Sequence, residues 1–264
     1  VIFMIAGWCA NSGDCIREVR AGFIYPLGIA LIPVALIACE TDMGTAALLT
    51  CVTLTMLFVA GSRIWLFAGS AILSVLVLAL AVIQNPNRWQ RFVAFLDIEA
   101  HKMGLGLQQW RANLALGEGG VSGLGLGEGR EKLMYLPFAH TDFIFPMIGE
   151  ELGVRATLLV IFAFVAVLIF GVLIASSAPD SFGKLLGFGI VTLIAVQAAL
   201  NIGVTTAVLP NKGLPLPFVS YGGSNLLFSL AGIGILLNIY RQGNTIKSDG
   251  SEHLFDRCRS VPRI

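Results

Sequence analysis

The sequence predicts an all-α fold: a polytopic membrane helix bundle with a large extracytoplasmic loop containing short amphipathic helices. Three observations point there. Of 264 residues, 56% are hydrophobic and 12% charged, about half the roughly 25% charged share of soluble domains. The mean hydropathy is +0.83. Apolar runs close to the roughly 20 residues needed to cross a bilayer recur along the chain, and the basic residues between them fall on alternate loops.

The chain opens at Val1 inside an apolar run, with no initiator Met, basic leader or small-residue cleavage site. Val1–Ala10 therefore reads as the stump of an earlier span in a longer protein. Complete spans are predicted at Phe23–Cys39, Gly44–Ala60, Ile64–Ile83, Val154–Ala175, Leu185–Leu209 and Leu226–Tyr240. Arg17 with Arg20, then Arg63, Lys184, and Arg241 with Lys247 lie on one side of this path. Lys and Arg mark cytoplasmic loops, so residues 40–43, 84–153 and 210–225 face outward and 241–264 form a cytoplasmic tail. Basic residues in the long loop do not overturn this, because loops above about 60 residues translocate largely regardless of charge. The whole chain reads as one membrane domain.

Residues 84–153 contain elements of their own. Trp89, Phe92, Val93 and Leu96 recur at helical spacing beside Arg88 and Arg91, and Leu107, Trp110 and Leu114 repeat the pattern more weakly. Two readings stand for both: a helix lying in the headgroup plane, or an amphipathic helix packed on protein.

Net charge is +1 with dispersed basic residues, which excludes the electrostatic footprint of a nucleic-acid partner. Cys9, Cys15, Cys39, Cys51 and Cys258 lack CxxC spacing and read as structural thiols. The glycines of Gly117–Gly129 fit neither the dinucleotide nor the P-loop register. A pliable loop and a loop presenting backbone N–H groups to a diphosphate both remain.

Candidate chemistry gathers in two stretches. The first runs from Tyr135 through His140-Thr141-Asp142 to Phe145, followed by Gly149-Glu150-Glu151-Leu152-Gly153. Asp142 is the only carboxylate between Glu131 and Glu150. Aromatic neighbours that keep it partly dry would raise its pKa and suit it to act as a base; capping of the following helix is the competing role. Glu150 and Glu151 suit a first helical turn, where the macrodipole stabilises acids. The second stretch is Pro210–Ser224, whose Pro210, Pro215 and Pro217 forbid a regular helix. It should fold back over the bundle. Its Lys212 could meet a phosphate or simply snorkel. Gln197 and Asn201 share one helix face and suit helix–helix hydrogen bonds or a polar pathway.

Gly123-Leu124-Gly125-Leu126-Gly127, Tyr135-Leu136-Pro137, His140 to Phe145, Gly149 to Gly153, and Lys212 to Ser224 together resemble the SEDS family of shape, elongation, division and sporulation proteins. The likeness runs from Asp42 to about Tyr240, and its wording is closer to the division branch than to the elongation branch. The resemblance implies about ten spans in the whole protein. It implies polymerisation of lipid II, an undecaprenyl diphosphate-linked disaccharide peptide, into β-1,4 glycan outside the bacterial cytoplasmic membrane. The implied partners are a class B penicillin-binding protein, other division proteins and membrane lipid. Asp142 falls on the family's essential aspartate and is expected to be catalytic. Lys132, Arg130 or Lys212, or a divalent cation (Mg or Mn), is expected near the diphosphate. His140, Thr141, Ser220, Tyr221 and Glu150 are the remaining candidate substrate contacts. Two departures stand out: Phe138 occupies a usually acidic position, and Glu40-Thr41 replaces a Gln-Pro or Glu-Pro. A lipid II flippase and a scaffold for a separate synthase are the competing functions.

Overall fold

A computed structural model describes residues 1–12, 18–40, 42–131 and 141–259, with backbone alone for residue 21 and residues 245–259. Its elements are α1 (Ile2–Ser12), a π-helical turn (Arg20–Ile24) running into α2 (Tyr25–Cys39), α3 (Met43–Val59), α4 (Ile64–Ile83), α5 (Pro86–Leu96), α6 (Leu107–Gly119), α7 (Ile144–Ser176), α8 (Ser181–Thr205) and α9 (Gly223–Arg259). The described residues contain no strand.

Five segments have the length and apolarity to cross a membrane: Gly22–Cys39, Ile64–Ile83, Ile144–Ser176, Ser181–Thr205 and Gly223–Asn244. Met43–Val59 and Ile2–Ser12 are apolar but shorter. The protein is a multi-pass membrane bundle, as the hydropathy pattern predicts.

The core forms where α1, α3 and α8 meet, with Ile5, Val52, Met56, Leu57, Val191 and Ile194 buried. α8 is the hub, touching α1, α3, α6, α7 and α9. None of α4 is buried; it packs on α3 and α5, and its apolar surface suits a lipid environment.

Several boundaries differ from expectation for local reasons. α8 begins four residues earlier than Leu185, because Asp180 caps it by accepting the Gly183 N–H at 2.9 Å. It ends at Thr205, where Ala207 turns to φ 54 and the Val208 and Leu209 N–H groups both return to the Gly203 carbonyl. α9 outruns Tyr240 because no proline interrupts it before Pro262.

The long loop separates the two readings of its amphipathic helices. α6 packs on α7, burying Ala112 and Ala115 against Phe143, Met147 and Val204. α5 buries only Ala94, while Trp89 and Leu96 are 45% and 70% exposed. α6 is a packing helix, and α5 keeps the surface of an interfacial one.

The glycine run is a fixed strap across a helix break. Gly153, at φ 77 and ψ −177, divides α7 into a short leading helix and the long span. The break frees the Glu150 and Glu151 carbonyls, which accept from the Leu124 and Gly125 N–H groups at 2.9 Å, while the Val154 N–H donates to the Gly120 carbonyl. A side chain at Gly123 would overlap the Glu151 carbonyl, so only glycine allows this approach. The Gly127 N–H goes to Glu151 Oε2 at 3.1 Å. The Arg130 and Glu131 N–H groups go to Glu150 Oε1 at 2.5 and 3.1 Å. These N–H groups are engaged within the protein, so the run is neither a pliable loop nor a diphosphate cradle.

Candidate active site

Asp142 lies two residues before α7. It does not cap that helix: the N-cap residue is Phe143, and no side chain closes the helix end. Phe143 is buried against α6 and α8 and anchors the chain, leaving Asp142 half-buried at a cavity of about 390 Å³. Arg91, Gln108, Asn211 and Gly213 share that cavity's lining. Burial pushes the Asp142 carboxyl above its ordinary pKa, because a drier setting disfavours the charged form.

The proline-rich loop supplies the facing wall, and buried side chains fix it against Asp142. Asn201, on α8, donates to the Asp142 carbonyl at 2.8 Å and to the Leu214 carbonyl at 2.6 Å. Ser220 donates to the Thr141 carbonyl at 2.5 Å and accepts from the Leu216 N–H at 2.7 Å. Gln197, one turn before Asn201, holds the Pro215 carbonyl at 2.8 Å and Asn225 at 3.1 Å. Two loops distant in sequence are thus tied in register. Gly213 lies against the carboxylate where they meet: a Cβ there would sit 2.7 Å from Asp142 Oδ2 and push it aside.

Lys212, beside Gly213, lines a second cavity of about 280 Å³ with Arg88, Arg91, Asn85, Asn87 and Asn211. Arg91 and Asn211 line both cavities. Lys212 has a lowered pKa, first from burial and then from the positive charges of Arg88 and Arg91, with Asp42 opposing them.

The expected site residues therefore separate. Asp142 and Lys212 line two neighbouring cavities that share Arg91 and Asn211. The Thr141 carbonyl and the Ser220 hydroxyl are joined to each other, so both serve to hold Asp142 in place. Tyr221 is 83% exposed and lines a groove with Ile144 and Leu226 whose lining does not include Asp142. Arg130 lines neither cavity; its backbone N–H is bound to Glu150. Glu150 sits in the second turn of α7 with 0% exposure, fastening the glycine strap, so it is neither a first-turn acid nor exposed to a ligand. His140 and Lys132, with Tyr135 to Phe138, lie outside the described residues.

Arg88 and Arg91 are the site residues that sequence reasoning passed over, treating them as headgroup-level charges. A signal was present: they stand three apart on one face of α5, and α5 contains no acidic residue to pair with them. Among the described residues no donor set for a divalent cation gathers here. No three of His, Cys, Asp and Glu gather among the described residues, and Asp142 shares its cavity with Arg91, unlike the oxygen-rich shells of Mg or Mn.

Comparison with known proteins agrees with this architecture. The profile of the cell cycle protein family of FtsW, RodA and SpoVE matches residues 1–245. A probable peptidoglycan glycosyltransferase FtsW of Trichlorobacter lovleyi is 44% identical over 226 residues, covering 86% of this chain and 59% of the relative. Stage V sporulation protein E of Bacillus subtilis is 37% identical over 241 residues, covering 91% of this chain and 66% of the relative. A solved chain from work on "structural coordination of polymerization and crosslinking by a peptidoglycan synthase complex" superposes with TM-score 0.76 at 26% identity, over 92% of this chain and 68% of that one. The rod shape determining protein RodA of Thermus thermophilus shares the fold, with TM-score 0.61 at 23% identity over 90% of this chain and 63% of that one. The chain spans 58–60% of the length of the FtsW relatives from Trichlorobacter lovleyi, Idiomarina loihiensis and Geobacter metallireducens. With the profile matched across nearly its whole length and the motif aspartate at the cleft, the chain belongs to the FtsW, RodA and SpoVE family of cell cycle proteins, the SEDS family.

Proposed function

We propose that this chain forms the reaction-centre part of a peptidoglycan glycosyltransferase that polymerises lipid II during bacterial cell division, at the outer face of the cytoplasmic membrane. The observation that carries this reading is a half-buried carboxylate, Asp142, opening on a cavity it shares with Arg91, next to a second cavity lined by Arg88, Arg91 and Lys212. The FtsW names among its relatives support the division role over an elongation role. The likeness to a chain of a peptidoglycan synthase complex supports a crosslinking partner of the class B penicillin-binding type, alongside other division proteins.

In the proposed step the 4-hydroxyl of an acceptor sugar gives its proton to Asp142 while its oxygen bonds to C1 of the donor sugar. The bond from C1 to the diphosphate oxygen breaks, and its electron pair leaves with the diphosphate. Proton and charge balance within that exchange. A diphosphate departs without a second carboxyl to protonate it, unlike the poor leaving oxygen that glycosidases face. Lys212 stabilises the departing charge. The raised pKa of Asp142 brings the base nearer to the operating pH, where proton transfer is most effective.

The test is Asp142→Asn in the full-length protein, reconstituted with lipid II on the outer side of the vesicle. Polymer should disappear while the protein stays folded, and polymer at the unaltered rate overturns the reading. Translocation of lipid II without polymer by the unaltered protein would assign it to a flippase instead.

A further inference from the structure

The proline-rich loop reaches Asp142 through a stretch that no regular structure supports. Residues 210–216 are neither helix nor strand, and Pro210 has no N–H to donate. The ends of this stretch are held by their carbonyls: Leu209 accepts from Gln109 of α6 at 2.7 Å, and Leu214 accepts from Asn201 of α8 at 2.6 Å. Between those anchors, one side-chain hydrogen bond ties the loop to a neighbouring element among the described residues: Asn211 Nδ2 donates to Gln108 Oε1 at 2.6 Å. The helix that carries Gln108 is firmly seated. Gln109 also donates to the Val204 carbonyl at 3.0 Å, Ala112 and Ala115 are wholly buried, and Arg111 pairs with Glu131 at 3.1 Å.

Asn211 and Arg91 form the wall between the two cavities. Arg91 stands on α5, which buries only Ala94, so Asn211 is the better supported half. Gln108 lines the Asp142 cavity and is absent from the lining of the other; it braces Asn211 from the carboxylate's side. Lys212, the next residue, lines the cavity on the far side. Burial is the first cause of its lowered pKa, followed by Arg88 and Arg91 of α5, with Asp42, which caps α3, acting the other way. The Asp142 carboxyl lies against Gly213, one residue further on.

We infer that Gln108 is a positioning residue: through its bond to Asn211 it holds the proline-rich loop so that Lys212 stays half-buried at a set distance from the Asp142 carboxyl. This rests on the reading in which Asp142 takes the proton while Lys212 faces the departing charge, because two groups that act in one step must keep their spacing. Released from Gln108, Asn211 no longer parts the two cavities. Water then reaches Lys212 and favours its ammonium form, and the loop samples positions in which the cation is out of place.

Two measurements on the full-length protein test this. The first follows Lys212 without turnover, as the pH dependence of its acylation by a trace amine-reactive reagent, read by mass spectrometry. Gln108→Ala should move the midpoint upward, towards the ordinary lysine value; an unmoved midpoint overturns the inference. The second is polymer formation from lipid II. Gln108→Ala should lower kcat about tenfold and leave KM within about twofold, and the alkaline limb of kcat should move to higher pH with Lys212. Asn211→Ala should do the same, and the two together should be no worse than either alone. The exchange of Gln108→Asn with Asn211→Gln keeps both amides in reach of each other and should restore most of kcat and the Lys212 midpoint. A double loss equal to the product of the single losses, or an exchange variant as slow as the single ones, also overturns it. Should an alanine variant fail to fold, Gln108→Met, which fills a similar volume without an acceptor, takes its place. If Lys212→Gln polymerises at the unaltered rate, the part given to Lys212 in the reaction fails, while the acylation midpoint still decides whether Gln108 holds the loop.

Discussion

Asp142 and Glu150 lie on the same short stretch of chain, one before α7 and one inside it, yet the fold gives them opposite tasks. Glu150 is sealed from solvent, and one of its oxygens holds two backbone N–H groups of the glycine strap. Asp142 has its backbone carbonyl tied to Asn201 while its carboxyl borders a cavity. An acid whose lone pairs are engaged by backbone donors fastens structure; an acid whose backbone is fastened by others is left free to react. The difference lies in which part of the residue the surrounding hydrogen bonds hold.

The strongest way to break this comparison is Asp142→Asn. Polymerisation should fall by a factor on the order of 10²–10⁴, the usual contribution of a general base. Thermal stability at neutral pH should rise slightly. The sign follows from the raised pKa: the folded state binds the Asp142 proton more tightly than the unfolded chain, so the ionised carboxylate costs stability above the folded pKa, and a neutral amide removes that cost. A lower melting temperature in a polymer-dead Asp142→Asn would make Asp142 a structural acid like Glu150.

Gly123→Ala should have the next largest effect, on folding. Its φ of 78 alone costs about 1–3 kcal/mol for a residue with a side chain, and the overlap with the Glu151 carbonyl adds to it. Denaturant unfolding should show the loss, and an unchanged midpoint would mean that the strap is loose. Glu150→Ala should cost about 1–3 kcal/mol for each buried N–H left without a partner. Activity should fall only with the folded fraction; a lower kcat per folded molecule would give Glu150 a part in the chemistry.

The smallest effect is expected from Ser220→Ala, which removes one tie to the Thr141 carbonyl. A loosened Asp142 becomes wetter, so the acid limb of the kcat profile should move to lower pH, kcat should fall several-fold and KM should change little. Ser220→Thr, keeping the hydroxyl, should restore all three. Among the described residues, the charged groups near that carboxyl are Arg91 across its cavity and Lys212 beside Gly213; both stay in place in the variant. An acid limb fixed at its original pH would show that Ser220 does not position Asp142.

Much of the fold was legible in the sequence because spanning a bilayer is a one-dimensional requirement. Every backbone polar group must be paired inside the segment, so apolar length alone announced α2, α4, α7, α8 and α9. Asp142 could be singled out because an acid among aromatic residues is costly unless it has a use. Lys212 was legible for the related reason that its loop cannot be helical. What stayed hidden depends on partners far along the chain. Glu150 read as a first-turn acid because nothing near it in sequence shows that the strap's N–H groups reach it from residues 130 and 131. The glycines read as flexible because close approach to the Gly153 break is a property of two segments at once. Arg88 and Arg91 read as headgroup charges because their cavity exists only once the loop at 210–212 folds over α5. The sequence by itself determined which segments are apolar enough to cross a membrane and which acid to propose as the base, since both follow from the local cost of burying polar groups. Only the tertiary structure decided which donors each acid meets and which cations share a cleft, since those are contacts between segments that hydropathy leaves unrelated.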